Sequence, residues 1–308
     1  MQTTSHLLMI RPVNFTFNPE TAVNNAFQVA GKSDNAQEKA AKEFDDFVNV
    51  LTSHGVDVTV VQDTPEPFTP DSIFPNNWIS FHGNGTVCLF PMYAHNRRLE
   101  RKQHVIDTVL TKFKITKVID FSYYEHENLF LEGTGSVVLD RDARIAYACI
   151  SPRTDKKVLQ DFCKTMGYQG IAFRAIDRNK QEIYHTNVMM CATTRHIIVC
   201  LDTVADRDEK DELLETIKQS GKKVLEISMD QMDHFAGNML QVKNKNGERL
   251  LVMSSQAYQS LNEEQMKRLA HHNKIIHSGL TTIETNGGGS ARCMMAEIFL
   301  PVRNQTVI

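Results

Sequence analysis

Three residues that lie far apart in the sequence have side chains that could together carry out nucleophilic hydrolysis. They are Cys293, His185 and Glu132. A cysteine attacks carbon as its thiolate, a histidine can take the thiol proton and return it to a leaving group, and a carboxylate can orient or charge the imidazole. We predict that Cys293 is the nucleophile, that His185 is the general acid and base, and that Glu132 is the partner of His185.

The sequence around Cys293 distinguishes it from the other five cysteines. It follows a triple glycine at residues 287–289, where the backbone can approach a ligand and present N–H groups to a developing negative charge. The others lie within apolar arms or helices and are predicted to be small buried side chains: Cys88, Cys149, Cys163, Cys191 and Cys200. The sequence has no C-x-x-C pair and no H-E-x-x-H motif, so we predict neither a metal nor an organic cofactor.

A repeat of hairpins must position these residues. Four stretches contain two apolar arms around a short polar turn, and they begin at Asn77, Ser136, Asn187 and Asn238. An aromatic residue marks the segment that leads into each hairpin, at intervals of 56, 54 and 51 residues: Phe74, Phe130, Tyr184 and Phe235. Three of these lead-in segments have the form aromatic-x-x-Asn. Such regular spacing predicts a repeated structural unit.

Each hairpin is followed by a segment with helical periodicity and then by a short apolar strand. The predicted helices cover residues 96–113, 154–166, 207–220 and 262–272, with a further helix over residues 35–51. The strands that follow them are predicted at residues 115–120, 170–175, 223–227, 274–276 and 56–61. A fifth hairpin is predicted to be split between an arm that starts at Cys293 and an arm that starts at Leu7, so that the two ends of the chain pair.

Five units of hairpin, helix and strand predict an α/β fold, a five-fold pseudosymmetric α/β propeller. We expect residues 1–308 to form a single catalytic domain, with the lead-in segments converging on a central cavity. The competing fold is a doubly wound α/β sheet, in which single strands alternate with helices. We favour the propeller because two strand arms precede each helix.

The composition is that of a globular protein that acts on a small molecule. Of the 308 residues, 41% are hydrophobic and 23% are charged, and a net charge of −3 without a basic stripe argues against nucleic acid or anionic lipid as partners. No apolar stretch approaches the ~20 residues needed to span a membrane. Scattered cysteines and an N-terminus without a signal-like segment predict a cytoplasmic location. A homo-oligomer is left open.

The combination of motifs resembles the guanidino-group-modifying superfamily, which has the pentein fold and includes arginine deiminases, dimethylarginine dimethylaminohydrolases and amidinotransferases. The matching segments are Phe74-Pro-Asn-Asn77, Glu132-Gly133, His185-Thr-Asn187 and the glycine-rich loop before Cys293. The resemblance covers nearly the whole chain. It implies the same Cys-His-Glu site that the residues suggest on their own.

The resemblance also implies which residues bind the substrate. The segment Ser151-Pro-Arg153-Thr154 is similar to a family motif whose arginine holds the substrate α-carboxylate. Arg97 or Arg98, after the first hairpin, is a second candidate for this role. The implied substrate is therefore a free amino acid.

At two positions the chain departs from the arginine-handling members, which hold the guanidinium with two aspartates. This chain has Asn77 and Asn187 there. A buried guanidinium without carboxylate partners is costly, whereas a neutral ureido group offers one carbonyl acceptor and N–H donors that asparagine can complement. The sequence therefore looks like the citrulline-hydrolysing branch, and we predict hydrolysis of citrulline through a covalent thiol intermediate.

Three alternatives stay open at this point. Asn238 has the same place in its repeat without a catalytic counterpart in the family, so asparagine there could be a scaffold choice. Asp71 or Glu132 could supply the missing charge, in which case the protein is an arginine deiminase, a dimethylargininase or an amidinotransferase. A non-catalytic binding protein on the same fold is the third alternative, although such a protein would not need Cys, His and Glu together.

Overall fold

The computed structural model describes residues 1–30 and 35–303. Within these residues the chain forms five three-stranded sheets. In every sheet the middle strand pairs antiparallel with one neighbour and parallel with the other. The strands are β1 (His6–Arg11), β2 (Asp57–Gln62), β3 (Ile79–Phe81), β4 (Thr86–Leu89), β5 (Lys117–Asp120), β6 (Val138–Asp140), β7 (Ile145–Cys149), β8 (Gln169–Phe173), β9 (Met190–Ala192), β10 (His196–Val199), β11 (Lys223–Glu226), β12 (Leu240–Lys243), β13 (Arg249–Ser254), β14 (Lys274–Ser278) and β15 (Ala296–Glu297).

Twelve α-helices and four 3₁₀ turns connect the strands of the described residues. The helices are α1 (Pro19–Ala22), α2 (Ala36–Ser53), α3 (His95–Arg98), α4 (Gln103–Lys112), α5 (Gly133–Ser136), α6 (Lys156–Met166), α7 (Thr186–Met189), α8 (Arg207–Gln219), α9 (Met229–Asp233), α10 (Ser255–Ser260), α11 (Glu263–Ala270) and α12 (Thr281–Gly287). The 3₁₀ turns cover Pro75–Asn77, Ser122–Glu127, Leu201–Thr203 and Ala291–Met294. The connection between the two parallel strands of each sheet contains one helix of eight or more residues, α2, α4, α6, α8 or α11, because a parallel connection must cross the sheet.

The crossover helices each bury one apolar stripe. In α2 the buried stripe consists of Ala40, Phe44, Phe47 and Leu51, which recur at three- and four-residue intervals and share a hydrophobic core with Leu7 of β1. The pattern is that of an amphipathic helix packed on a sheet. Although α2 has 18 residues, its other face is polar. Among residues 1–30 and 35–303, no helix combines the length and the apolar character that a membrane span requires.

The predicted architecture of five hairpin, helix and strand units is confirmed. The order of strands is β15-β1-β2 in the sheet that joins the chain ends, with Leu7 opposite Glu297 and Leu8 opposite Ala296 in an antiparallel pair. The split hairpin was therefore placed correctly. A doubly wound sheet is wrong, since every sheet of the described chain has three strands.

One predicted helix differs from the structure. Residues 96–113 form two helices, α3 and α4, that are separated by residues 99–102. Lys102 has an extended backbone, with φ −84° and ψ 129°, and its ammonium group lies 2.6 Å from Asp63 in a buried ion pair. Such a long-range contact is invisible to helical periodicity, which spans the break without interruption.

Four of the segments that precede a first strand contain a short helical turn. They are the Pro75–Asn77 turn before β3, α5 before β6, α7 before β9 and the Ala291–Met294 turn before β15. These turns carry or adjoin the candidate residues of the sequence. The fold thus brings polar segments from several repeats close together.

Candidate active site

The lead-in segments meet at a narrow cavity that their side chains nearly fill. Most of the residues singled out from the sequence line it or touch a residue that does. The lining residues are Thr21, Asn25, Asp71, Phe74, Asn77, Arg97, Arg153, Tyr184, His185, Gly287, Gly288, Gly289 and Cys293. Segments that are distant in the sequence therefore form one site.

Glu132 and His185 form a buried pair next to this cavity. His185 Nε2 lies 2.7 Å from Glu132 Oε2, and Glu132 Oε1 accepts the backbone N–H of Tyr93 at 2.9 Å. Burial raises the pKa of Glu132, but Arg153 and the hydrogen bond from His185 outweigh this effect and hold the pKa well below its usual range. Burial lowers the pKa of His185. An ionised Glu132 then accepts the Nε2 proton of a neutral imidazole, which leaves Nδ1 free to accept a proton.

A glycine brings two of the site's side chains together. A Cβ atom at Gly135 would lie 2.3 Å from Asn77 Nδ2 and 2.8 Å from His185 Nδ1. No side chain larger than hydrogen fits between them. The sequence Glu132-Gly-Thr-Gly thus supplies both the carboxylate and the space that the imidazole and the amide occupy.

Two asparagine amides surround the sulfur of Cys293. Asn238 Nδ2 lies 3.3 Å and Asn187 Nδ2 lies 3.5 Å from Cys293 Sγ, and the cysteine is buried, with 3% of its surface exposed. A Cβ at Gly289 would lie 3.3 Å from the Cys293 Cβ and closer still to the ring of Phe74. The sulfur therefore has two amide N–H donors, and the glycine loop passes close to it.

Asn77 is oriented by Arg97. Arg97 Nη1 donates to Asn77 Oδ1 at 2.8 Å, while its Nε and Nη2 donate to Glu100 at 2.8 and 3.0 Å. Because arginine has only donors, the oxygen of the Asn77 amide must face it, and Asn77 Nδ2 is left buried without a partner among the described residues. The free group of Asn77 is therefore an N–H donor.

Asn187 has the opposite arrangement. Its Nδ2 points to Cys293 Sγ, and its Oδ1 is buried without a partner within the described part of the chain. The free group of Asn187 is therefore an acceptor. Together with Asn77, the site has one unused amide donor and one unused amide acceptor.

Arg153 lies in the cavity wall, and its guanidinium is already hydrogen-bonded to other residues of the protein. Its Nε donates to Asn24 Oδ1 at 2.8 Å and its Nη2 donates to the Thr21 carbonyl at 2.7 Å, while the guanidinium lies 4.9 Å from the centre of the Tyr184 ring. The Asn24 oxygen occupies a place that a carboxylate oxygen could take. Arg98, the other candidate from the sequence, donates to the Met92 carbonyl and does not line the cavity.

Two polar residues of the site, Asp71 and Asn238, were considered from the sequence only among the alternatives, Asp71 as one of two possible sources of the missing charge. Asp71 is buried in the cavity wall, where Asn18 and Thr21 donate to its Oδ2 while its Oδ1 lacks a partner among the described residues, and burial raises its pKa. Asn238 was regarded as a possible scaffold residue, yet it contacts Cys293 Sγ. Its aromatic-x-x-Asn motif was the available signal, because the same motif produced Asn77 and Asn187.

The sequence matches a known family over most of its length. The family model described as N,N dimethylarginine dimethylhydrolase, eukaryotic, matches residues 11–300. The chain belongs to this family. Its members are cysteine-dependent hydrolases that act on carbon–nitrogen bonds, and the predictions of a pentein fold and of a hydrolase of the guanidino-modifying class are thereby confirmed.

Solved structures of similar fold agree with this membership. ArgZ, an arginine dihydrolase from Cyanobacteria, is 19% identical with a TM-score of 0.76, and the match covers 97% of this chain but 41% of ArgZ, so the chain spans less than half of that protein. The N-terminal domain of ArgZ bound to substrate is 20% identical, with a TM-score of 0.73 and 96% and 98% of the two chains covered. A dimethylarginine dimethylaminohydrolase adduct with S-methyl-L-thiocitrulline is 16% identical, with a TM-score of 0.67 and 97% and 100% covered. Among curated proteins, none is significantly similar in sequence.

Proposed function

We propose that this member of the family hydrolyses the ureido carbon–nitrogen bond of citrulline or a closely similar amino acid. The observation that carries the proposal is the orientation of two amides, since Asn77 offers a free N–H donor and Asn187 a free oxygen acceptor. A ureido group has one carbonyl oxygen, which accepts, and an NH₂ group, which donates. The two free amide groups complement both ends of a ureido group.

A guanidinium group is a poorer match to the same amides. All its polar atoms are donors, so the Nδ2 group of Asn77 would meet another N–H, and Arg97 prevents this amide from turning over. Burial of a donor without an acceptor costs about 1–3 kcal/mol. This unfavourable free energy should weaken the binding of guanidinium substrates but not of ureido substrates.

The other end of the cavity suits the zwitterionic end of an amino acid. The guanidinium of Arg153 donates a hydrogen bond to the neutral amide oxygen of Asn24. We infer that the substrate α-carboxylate replaces this oxygen as the acceptor. The unpaired Oδ1 of Asp71 is an acceptor for the α-ammonium group. Arg97 also lines the cavity, with its Nε 4.0 Å from Asp71 Oδ2, and we assign to it the orientation of Asn77 together with a favourable field for the carboxylate.

The mechanism proceeds in two covalent steps. Neutral His185 takes the proton of Cys293, whose sulfur attacks the ureido carbon, and His185 then protonates the departing ornithine nitrogen as the carbon–nitrogen bond breaks. A carbamoyl thioester remains on Cys293. Water, deprotonated by His185, attacks this thioester, and the products are the free thiol and carbamate, which decomposes to carbon dioxide and ammonia. Asn77 N–H stabilises the oxyanion, and Glu132 stabilises the transient imidazolium.

Every step uses protein side chains and water, so the proposal includes no metal and no organic cofactor. It treats residues 1–308 as one catalytic domain and the cytoplasm as its location. All six cysteines are unpaired and buried, which agrees with a reducing compartment.

The second candidate is hydrolysis of a guanidino substrate such as arginine. The family match and the arginine dihydrolase of similar fold favour it. This candidate uses the same nucleophile and the same Arg153. It differs from the first only in what Asn77 and Asn187 hold.

The proposal is tested by measuring ornithine, citrulline and ammonia formed from citrulline and from arginine by the wild type, Cys293→Ala and Asn77→Asp. We expect ornithine from citrulline in the wild type and none in Cys293→Ala. Asn77→Asp keeps the acceptor for Arg97 but replaces the free donor by an oxygen, so kcat/KM for citrulline should fall roughly 10- to 100-fold.

The matched control is Asn246→Asp, the same change at an exposed hairpin turn, which should leave kcat/KM unaltered. Turnover of arginine but not citrulline by the wild type would replace the first candidate by the second. Full activity of Cys293→Ala would remove the nucleophile assignment altogether.

A further inference from the structure

Asn238 makes a set of hydrogen bonds that fixes which way its amide faces. Its Oδ1 accepts the backbone N–H of Arg292 at 3.0 Å, and its Nδ2 donates to the carbonyl of Asn187 at 2.9 Å. A backbone N–H requires an oxygen and a carbonyl requires an N–H, so the amide cannot be turned over. The second hydrogen of Nδ2 is then directed to Cys293 Sγ at 3.3 Å.

The backbone that carries Asn238 is held in an unusual conformation. Phe235 has φ +62°, a left-handed conformation that is costly for an aromatic residue, and a Cβ at Gly237 would lie 2.2 Å from the Val188 carbonyl oxygen. Asn238 itself has no exposed surface. The side chain of Asn238 is thus held in place by a strained residue and by a glycine that has no room for a side chain. Such strain is typical of functional sites.

The surroundings of Cys293 explain what this amide can do there. The titratable or charged groups that line the cavity with the cysteine are Asp71, Arg97, Arg153, Tyr184 and His185, and Glu132 lies behind His185. Arg97 and Arg153 donate their hydrogen bonds elsewhere, to Asn77, Glu100, Asn24 and Thr21. Among the described residues, the donors that contact the sulfur are instead the two neutral amides of Asn187 and Asn238.

We propose that Asn238 stabilises the Cys293 thiolate through its Nδ2–H and, through its Oδ1, fixes the backbone that presents the sulfur. This inference deepens the proposed function and rests on Cys293 being the nucleophile. In the thiol state the S–H can donate to Asn238 Oδ1, 3.7 Å away, and in the thiolate state the sulfur accepts from Nδ2. One amide thus serves both protonation states without moving.

A purely structural role makes a different prediction from thiolate stabilisation. If Asn238 only holds the backbone, through Arg292 N–H and the Asn187 carbonyl, its loss should change the access to the sulfur and lower the alkylation rate by a similar factor at every pH. If the N–H donor to sulfur matters, both alanine and aspartate should move the rise of the rate to higher pH and leave the rate at high pH, where the thiolate forms without this donor, close to that of the wild type. The two roles are therefore separated by the pH profile, and an equal decrease at every pH would contradict thiolate stabilisation.

The test is the rate of alkylation of Cys293 by iodoacetamide as a function of pH, read from the labelled Cys293 peptide by mass spectrometry. We expect Asn238→Ala to lower the rate at pH 7 about ten-fold and to move the rise of the profile to higher pH, as loss of a hydrogen bond to a charged group requires. Asn238→Asp should be at least as slow as Asn238→Ala. Asn246→Asp is the surface control and should follow the wild type.

Wild-type alkylation in Asn238→Ala, or recovery of the wild-type rate in Asn238→Asp, would overturn the proposal. If the alanine variant does not fold, the aspartate variant, which keeps the size and the acceptor, decides the question alone. Equal reactivity of Cys293 in folded and denatured wild type would contradict the nucleophile assignment and this inference with it. A reactive wild-type cysteine with unchanged Asn238 variants contradicts only the inference.

Discussion

At the scale of single residues, the site depends on which atom of each amide is free. Asn77 and Asn187 were chosen from the sequence because they replace aspartates of the resembling family. The sequence does not show that Arg97 donates a hydrogen bond to the amide oxygen of Asn77, or that the amide nitrogen of Asn187 donates one to the sulfur. These choices are set by contacts between residues 20 and 106 positions apart, and they turn two identical residue types into a donor and an acceptor.

Asn238 and Asp71 show the same limit. Their residue types were visible, but their importance depends on the left-handed turn at Phe235 and on the contact of Asp71 with Asn18, neither of which follows from a pattern of apolar residues. The proximity of Cys293, His185 and Glu132 was predictable because the repeat places them at equivalent positions. The candidates for a nucleophile and its base are therefore visible in the sequence, whereas the side chains that contact them are not.

Protonation of His185 provides a prediction at this scale. Burial lowers the pKa of His185 to about 4 in the folded protein, below its ordinary 6.5, so the neutral form favours folding. This contribution to stability is present above pH 6.5 and is lost as the pH falls towards 4, by at most about 3 kcal/mol. His185→Gln should therefore lose less free energy of unfolding than the wild type between pH 7 and pH 4.5.

The measurement is urea unfolding at several pH values in that window. His234→Gln, a change at an exposed histidine, is the control and should retain the wild-type pH dependence. The same pH dependence in His185→Gln and wild type would show that the imidazole is not held neutral by the fold.

At the scale of elements, the crossover helices were predictable and the short helix beside the site was not. Helices α2, α6, α8 and α11 begin and end within two residues of their predicted bounds because their apolar stripes are regular. Helix α12 has only seven residues, of which three are Thr and one is Ile, residues of modest helix propensity, and so short a segment shows no clear helical periodicity. A residue of another helix, Glu43 of α2, stabilises it. The carboxylate of Glu43 accepts hydrogen bonds from the backbone N–H groups of Thr282 and Ile283 at 2.8–3.1 Å.

The contact between Glu43 and α12 gives a prediction for this element. A carboxylate at a helix N-terminus satisfies orphan N–H groups and interacts favourably with the helix dipole, which is worth about 1 kcal/mol. Glu43→Ala should therefore lower Tm by roughly 2 °C in a chain of this length. Glu212→Ala, at an exposed position in the middle of α8, removes an identical charge away from a helix N-terminus and should change Tm by much less. Equal Tm values for the two variants would show that the Glu43 contact does not stabilise α12.

At the scale of the whole molecule, the pairing of the two chain ends makes the five sheets depend on each other. It was predictable because an apolar run at each end lacked a hairpin partner, and β1 and β15 form the expected antiparallel pair. Leu8 sits in this pair, fully buried in a core that it shares with Trp78 at the next sheet. Loss of packing at Leu8 should therefore destabilise the next sheet as well as its own.

Leu8→Ala tests this dependence. Removal of a fully buried leucine costs about 2–5 kcal/mol, and Val60→Ala on the neighbouring strand β2, where Val60 is 39% exposed, should cost far less. Unfolding is followed by the fluorescence of Trp78, the only tryptophan, and by far-ultraviolet circular dichroism. We expect both signals of Leu8→Ala to shift together, because a defect where the chain ends meet weakens the whole ring. Separate transitions would mean that the sheet formed by the chain ends unfolds on its own, and the closed pairing would then not be what couples the five units.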